Sequence, residues 1–368
     1  MKFSCDRTLL QVAVNTVSRA CSARSPIPAL EGILLEAGQQ NLKLTGYDLK
    51  KGIYTHMEAE VDQMGSIILP ARMFSDIVHS LPDGEVELKT DKLYTTIRCG
   101  SAEFHIVGSD PADYPELPAI DGQTGVSLPQ NQLRDMIRET VFAVSDNEAR
   151  PIYTGELFDL RDSVLNVVAV DGYRMAIRRE TVEDMRADCT FIVPGNALSD
   201  IEKLCGDNAD PIHIHVGSKH IGFTIGDTVL ITRRLEGEFL NYHKAVPDVF
   251  QVQVRADCRE LQRTIERVSL IIDSKIKTPL RCTFEQDRMR ILCNTALGRA
   301  EDFCAVEGDG KGMEIGFNNR YLLDALKSAP ADDVRICINS GSTPCILVPT
   351  DGTDRFLYMI LPVRLKAE

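Results

Sequence analysis

The sequence predicts an α+β protein of three similar domains, each with two helices packed on antiparallel sheets. Three observations predict it. One block of sequence recurs three times, each copy holds helical segments with an apolar stripe, and the segments between them alternate apolar and polar residues. Self-similarity at a fixed period marks a chain built from one repeated unit. The chain has 368 residues, which at about 100–200 per domain fits two or three domains.

The first helix of each copy follows from apolar residues at helical spacing. These are Leu10, Val14 and Val17; then Leu133, Ile137, Val141 and Val144; then Leu261, Ile265, Val268 and Ile272. Each leads into a basic residue and a proline turn: Arg24-Ser-Pro-Ile, Arg150-Pro-Ile and Lys277-Thr-Pro-Leu (150 − 24 = 126, 277 − 150 = 127). Alternating pairs follow, GILLEA with LKLTGYDL, GELFDL with LNVVAVDG and RCTFEQ with MRILCNTA. Such alternation marks half-buried antiparallel strands. The second helix follows a strand and a proline or asparagine, in SIILPARMFSDIVHSL from Ser66, TFIVPGNALSDIEKLC from Thr190 and MEIGFNNRYLLDALKSA from Met313. Asp76, Asp200 and Asp324 hold one position on it (200 − 76 = 124, 324 − 200 = 124). The two halves of each copy also look alike, giving six approximate repeats. DPADYPELPAIDGQT at 110–124 and EFLNYHKAVPDVF at 238–250 are rich in proline and turn residues and read as linkers. The domains are therefore expected at 1–122, 125–248 and 250–368. Helices on one sheet face leave strand edges free to pair with the next unit. Three units joined this way make an arc, and two arcs close under two-fold symmetry.

Composition narrows the function. Hydrophobic residues are 43% and charged residues 26%, which excludes wholesale disorder. No apolar run reaches the ~20 residues of a membrane span, and MKFSCDRTLL carries no apolar signal core. The net charge of −13 sets the far field without fixing the sign of any one surface. The 11 cysteines include no Cys-x-x-Cys pair and sit mostly in apolar strings, so reduced cytoplasmic thiols are expected.

Basic residues recur with the repeat. Arg72, Asn196 and Arg320 align, and seven residues later so do His79, Lys203 and Lys327, on the same helix face. The first helices carry Arg134 with Arg138, and Arg259 with Arg263 and Arg267; the first domain has only Arg7, Gln11, Asn15 and Arg19. The proline turns add Arg24, Arg150 and Lys277. Any one helix taken alone reads as a solvated face, partly neutralised by Glu260 and Glu266. Recurrence on an arc suits a surface that tracks a phosphate backbone without reading bases. The expected DNA-facing set is Arg24, Arg72, Arg134, Arg138, Arg150, Lys203, Arg263, Arg267, Lys277 and Arg320.

The threefold repeat, VDGYRMA at 170–176, EGEFLNY at 236–242 and YMILPVRL at 358–365 resemble the bacterial DNA polymerase III beta subunit, or sliding clamp, family over the whole chain. The resemblance implies a head-to-tail homodimeric ring of six subdomains, with helices lining a hole for duplex DNA and sheets outside. It also implies a pocket between the second and third domains, where polymerase, clamp loader and repair proteins dock a short hydrophobic motif. Carried over by position, the pocket takes Tyr153, Val170, Gly172, Tyr173, Arg174, Met175, Leu240, Lys244, Ala245, Asn318, Tyr321, Pro344, Met359, Ile360, Leu361, Pro362, Val363 and Arg364. Leu240 stands where the family often has proline, Lys244 where arginine is frequent and Tyr173 where histidine is. An apolar terminal MILPVRL frays unless docked; its alternating half doubles as a last core strand. Arg174 and Arg364 beside apolar groups suit a peptide with hydrophobic anchors and an acidic flank. For ring closure, Phe104 and Ile106 are expected to meet Leu270 and Ile271 of the other copy, since exposed apolar sheet edges are a liability unless paired.

Catalytic readings are weaker. His213 and His215 share a strand face but lack a third ligand, Asp110 and Asp113 sit in turn chemistry, and GDGKG at 308–312 lacks phosphate-loop spacing. A non-catalytic protein without cofactor or metal is expected. The competing reading is a repeat scaffold, or an enzyme acting on an acidic or nucleotide substrate.

Overall fold

The computed structural model describes residues 1–121, 124–185, 187–247, 249–273 and 278–365. The expected DNA contact Lys277 and the expected domain limits at 122, 248 and 368 lie outside the described residues.

One order of elements runs three times, with one short strand fewer in the third pass among the described residues. The first pass is β1 (Lys2–Asp6), α1 (Arg7–Ser18), β2 (Gly32–Ala37), β3 (Asn41–Tyr47), β4 (Lys51–Glu58), β5 (Glu60–Gln63), β6 (Gly65–Pro70), α2 (Ala71–Ser80), β7 (Glu85–Asp91), β8 (Tyr94–Cys99) and β9 (Ala102–Val107). The second is β10 (Thr124–Pro129), α3 (Gln130–Arg138), β11 (Gly155–Arg161), β12 (Val164–Val170), β13 (Arg174–Thr181), β14 (Asp184–Met185), β15 (Cys189–Pro194), α4 (Gly195–Leu204), β16 (Pro211–Val216), β17 (His220–Ile225) and β18 (Thr228–Arg233). The third is β19 (Val252–Asp257), α5 (Cys258–Ser269), β20 (Leu280–Phe284), β21 (Arg288–Thr295), β22 (Gly298–Ala305), β23 (Met313–Phe317), α6 (Asn319–Ser328), β24 (Asp333–Ile338), β25 (Cys345–Pro349) and β26 (Phe356–Ile360).

Helix starts are chemically set. Asp6 accepts from the Thr8 and Leu9 amides at 2.8 and 3.0 Å, Asp257 from Glu260 at 2.7 Å, and Asn318 from Arg320 at 3.0 Å. Each such cap is worth about 1 kcal/mol. The apolar stripes turn inward. Leu10, Val14 and Val17 of α1 are buried with Phe74, Ile77 and Val78 of α2. Leu261, Ile265 and Val268 of α5 share a core with Leu322 and Leu326 of α6 and with Phe284, Phe317 and Tyr358. Burying each aliphatic side chain contributes roughly 1.5–3 kcal/mol. Two helices are shorter than their apolar spacing predicts. α3 ends at Arg138, so Val141 and Val144 lie beyond it, and Ile272 lies beyond α5. The Thr140 hydroxyl stands 2.7 Å from the Met136 carbonyl and 3.0 Å from the Glu156 carboxylate, and the chain turns into a short 3-10 segment there.

Two compact units result. One comprises Met1–Leu133, Asp184–Ala187 and Asp200–Arg234; the other comprises Arg134–Glu183, Asp188–Ser199 and the chain from Leu235 onward. The first contains an antiparallel five-stranded sheet, β5-β1-β7-β8-β9, and a nine-stranded one, β14-β10-β16-β17-β18-β4-β3-β2-β6. The second contains an eight-stranded sheet, β15-β11-β12-β13-β26-β25-β24-β19, and a four-stranded one, β22-β21-β20-β23. Two pairings join successive repeats into continuous sheets. β18 pairs with β4 from Thr228↔Thr55 to Thr232↔Lys51, and β26 pairs with β13 from Phe356↔Arg178 to Ile360↔Arg174. All 11 cysteines are free thiols; burial pushes Cys5, Cys258 and Cys282 up to about 12, which leaves them unreactive.

Candidate functional site

The cationic positions divide by what their charge already does. Arg72 on α2, Lys203 on α4 and Arg263 on α5 are exposed, as are Arg24 and Arg150 in the turns after the first helices; none has an ion-pair partner among the described residues. Arg320 stands 77% exposed, 3.8 Å from Asp324 one turn on. Three others are engaged. Arg134 is half-buried and 3.3 Å from Asp135, Arg138 pairs with Asp135 at 3.0 Å, and Arg267 bonds Asp302 at 2.6 Å. Exposed pairs of this kind are worth about 0–1 kcal/mol, so Arg138 and Arg267 can exchange a carboxylate for a phosphate at little cost. Arg7 ties the two helices together, donating to the His79 carbonyl at 2.7 Å.

The residues expected to dock a peptide fall into two neighbouring groups. Six of them line a cleft of about 660 Å³ beside the start of α6: Tyr173, Asn318, Tyr321, Leu361, Pro362 and Val363. The tail that forms its wall is fixed by backbone bonds, Leu361 N–H to the Tyr173 carbonyl and Val363 N–H to the Gly316 carbonyl, both 2.8 Å. The Tyr173 and Tyr321 rings stack 6.1 Å apart at 21°. Burial, with Asp171 nearby, pushes the Tyr321 phenol above its ordinary value, so it enters the site neutral. The second group lies on one face of the eight-stranded sheet. Val170, Met175 and Met359 are buried there among Tyr153, Ala245, Phe239 and Phe250, and the Tyr153 ring meets Phe239 edge-on at 5.3 Å. Leu240, 39% exposed, and Lys244 project from the linker that covers this layer. Tyr242 fastens that linker, its hydroxyl donating to Asp159 at 2.9 Å. Gly172, at φ +93°, makes the sharp turn before Tyr173 that a side chain would strain.

Several expectations change. Arg174 is not a basic rim: it is 7% exposed and its guanidinium donates to Asp171 at 2.8 Å and Asp324 at 2.6 Å, with the Tyr321 ring 4.6 Å away. Of that basic pair only Arg364 is exposed. Met175 and Ile360 have no exposed surface, and Ile360 belongs to the helix-side core rather than to the cleft wall. Pro344 is half-buried before β25 and lines no part of the cleft. Ile106 is buried within its own sheet, and Ile271 packs on the α5 core. Phe104 is half-exposed on edge strand β9, and Leu270 is 84% exposed just after α5. Sequence reasoning marked Asp200 and Asp324 as repeated without giving them work. Asp200 pairs with Lys51 and Asp324 with Arg174. The signal was present, since Lys51 and Arg174 recur at nearly the same period (174 − 51 = 123).

Sheet edges differ in protection. Single bridges cover β6 (Ile68↔Ser109), β15 (Ile192↔Leu235) and β19 (Arg255↔Glu307), and the tail covers β23 through Val363. Edge strands β9 and β22 have no such cover among the described residues, and neither do the shorter β5 and β14.

Three family models describing the N-terminal, central and C-terminal domains of the DNA polymerase III beta subunit match residues 1–118, 127–241 and 243–364. The chain belongs to that family. The beta sliding clamp of Halalkalibacterium halodurans is 33% identical over 379 residues, covering 99% of this chain and all of the relative. The crystal structure of the Bacillus subtilis polymerase sliding clamp superposes with a TM-score of 0.94 at 29% identity, covering all of both chains. A Pseudomonas aeruginosa sliding clamp bound to griselimycin superposes at 0.95 with 26% identity, over 99% of this chain and all of that one. Membership makes the protein a non-catalytic subunit of DNA polymerase III that confers processivity, working with DNA and the polymerase. The exposed, uncommitted arginines fit that role, because processivity needs phosphate contacts weak enough to slide.

Proposed function

We propose that two copies close head to tail into a ring around duplex DNA in the bacterial cytoplasm, and that the cleft beside α6 tethers polymerase, clamp loader and repair factors by hydrophobic peptides. The three repeats serve as the ring's domains, with limits near 122–125 and 248–250. The carrying observation is the matching of strands across repeats. β4, β13 and β22 occupy one position (51 + 123 = 174, 174 + 124 = 298), and β9, β18 and β26 another (102 + 126 = 228, 228 + 128 = 356). Inside the chain β18 pairs with β4 and β26 with β13. The third members, β9 and β22, are both sheet edges with no covering bridge among the described residues, and they are longer than the other two such edges, β5 and β14. A heterologous contact of one copy's β22 with another's β9 repeats the same joint, and such contacts make rings when the rotation closes. The register carries over, placing Ile106 opposite Gly298 and Ala102 opposite Asp302. Phe104 and Leu270 supply the apolar surface of the joint, while Arg24, Arg72, Arg150, Lys203, Arg263 and Arg320 face the duplex.

The test is topological. Loaded on nicked circular DNA, the protein stays bound through a high-salt wash, and cutting the circle once releases it. Release before cutting, or retention after it, would defeat the encircling reading.

A further inference from the structure

The two joints inside the chain share a lock. Lys51 at the start of β4 is buried against Asp200 of α4, and Arg174 at the start of β13 is buried against Asp324 of α6. In each case a cation on the hairpin of one repeat grips a carboxylate on the second helix of the next. A further group attends each pair. Arg19 stands 3.7 Å from Asp200, and the Phe142 ring 5.4 Å from the Arg174 guanidinium.

The third set of positions lacks these parts. The hairpin position is Gly298, which has no side chain, and the helix position is Asp76, exposed and without an ion-pair partner among the described residues. Arg72, one turn before Asp76, makes no ion pair with it among the described residues. The place of Arg19 and Phe142 is taken by Leu270 (142 − 19 = 123, 270 − 142 = 128), 84% exposed. Asp76 lines a cleft of about 530 Å³ together with Arg72 and Ser80 of its own helix and the apolar Met73, Ile77 and Phe104. Arg299, next to Gly298, bonds Glu301 at 2.9 Å and on an alternating strand points to the opposite face.

We propose that the joint between copies is built as the separable one: Asp76 enters it as a carboxylate facing Leu270 and Gly298, with no cation from the other copy's hairpin to grip it, so this seam parts while the two locked joints hold. The inference rests on the head-to-tail reading above. Removing one partner of a paired buried charge is destabilising, whereas an unpaired carboxylate moved against apolar surface opposes association. The sign of the Asp76 effect therefore discriminates.

Dimer dissociation constants from sedimentation, and subunit-exchange rates from fluorescently labelled copies, provide the readout. Asp76→Leu is expected to tighten the dimer at least tenfold and slow exchange to match. Asp200→Asn and Asp324→Asn are expected to lower the melting temperature instead. Gly298→Arg and Gly298→Glu carry the same backbone strain, as φ is +146° there. The arginine variant should exchange at least tenfold more slowly than the glutamate one, and the difference should vanish in an Asp76→Asn background. A wild-type dimer with Asp76→Leu unchanged or weakened overturns this inference alone. A wild-type chain that stays monomeric at micromolar concentration overturns the ring reading as well.

Discussion

Asp159 is a single residue on which the apolar layer beneath the linker hangs. Burial alone would raise its carboxyl, but hydrogen bonds from Arg161 and Tyr242 outweigh that and hold it below the ordinary carboxylate value. A depressed carboxyl contributes stability that is complete above its unfolded pKa of about 3.9 and is lost as pH falls through the folded value. The clasp on the linker therefore holds at neutral pH and loosens only below about pH 4. Tyr242→Phe removes a hydrogen bond to a charged acceptor, so a loss of about 1.5–3 kcal/mol is expected in denaturant unfolding. An unaltered unfolding midpoint would show that the layer packs without the clasp. At this scale the sequence was only half legible. Tyr173 and Tyr321 could be placed by motif, but Arg174 was not read as spent, because its partner Asp324 lies 150 residues away (324 − 174 = 150) and only the repeat period, not a local pattern, links the two.

Among the elements, β26 and the tail behind it have separate tasks. Phe356, Tyr358 and Ile360 are buried and the strand pairs on both sides, with β13 and β25. Leu361, Pro362 and Val363 wall the cleft. Truncation after Leu361 should leave the melting temperature within a few degrees and weaken binding of a hydrophobic peptide by tenfold or more. Truncation from Met359 should lower the melting temperature steeply, because it removes ladder and core together. If both deletions leave peptide affinity intact, the docking site lies elsewhere. The element boundaries show why periodicity takes a reader only so far. Val141 and Val144 keep the apolar spacing of a helix, yet the Thr140 hydroxyl diverts the chain into a tighter turn. Apolar spacing records which side faces the core, and both conformations satisfy it.

Over the whole molecule, an acidic body carries cations at repeated positions. Arg24 and Arg150 hold matching turns and neither has an ion-pair partner among the described residues. The double variant Arg24→Glu, Arg150→Glu is expected to cut the yield loaded on circular DNA severalfold and leave peptide affinity unchanged; equal loading would remove both from the DNA-facing set. The threefold plan was legible because duplication repeats punctuation, stripe and spacing together, and chance seldom matches all three. Which strands would be left unpaired was not legible, since that depends on how repeats are joined in space. A joint that mates unlike edges has a direction. In the ring proposed above, two copies so linked show the same flank to one side, and both peptide sockets open the same way. A machine travelling with such a hoop would always meet one particular side of it, and competing passengers would share that side rather than ride on opposite ones.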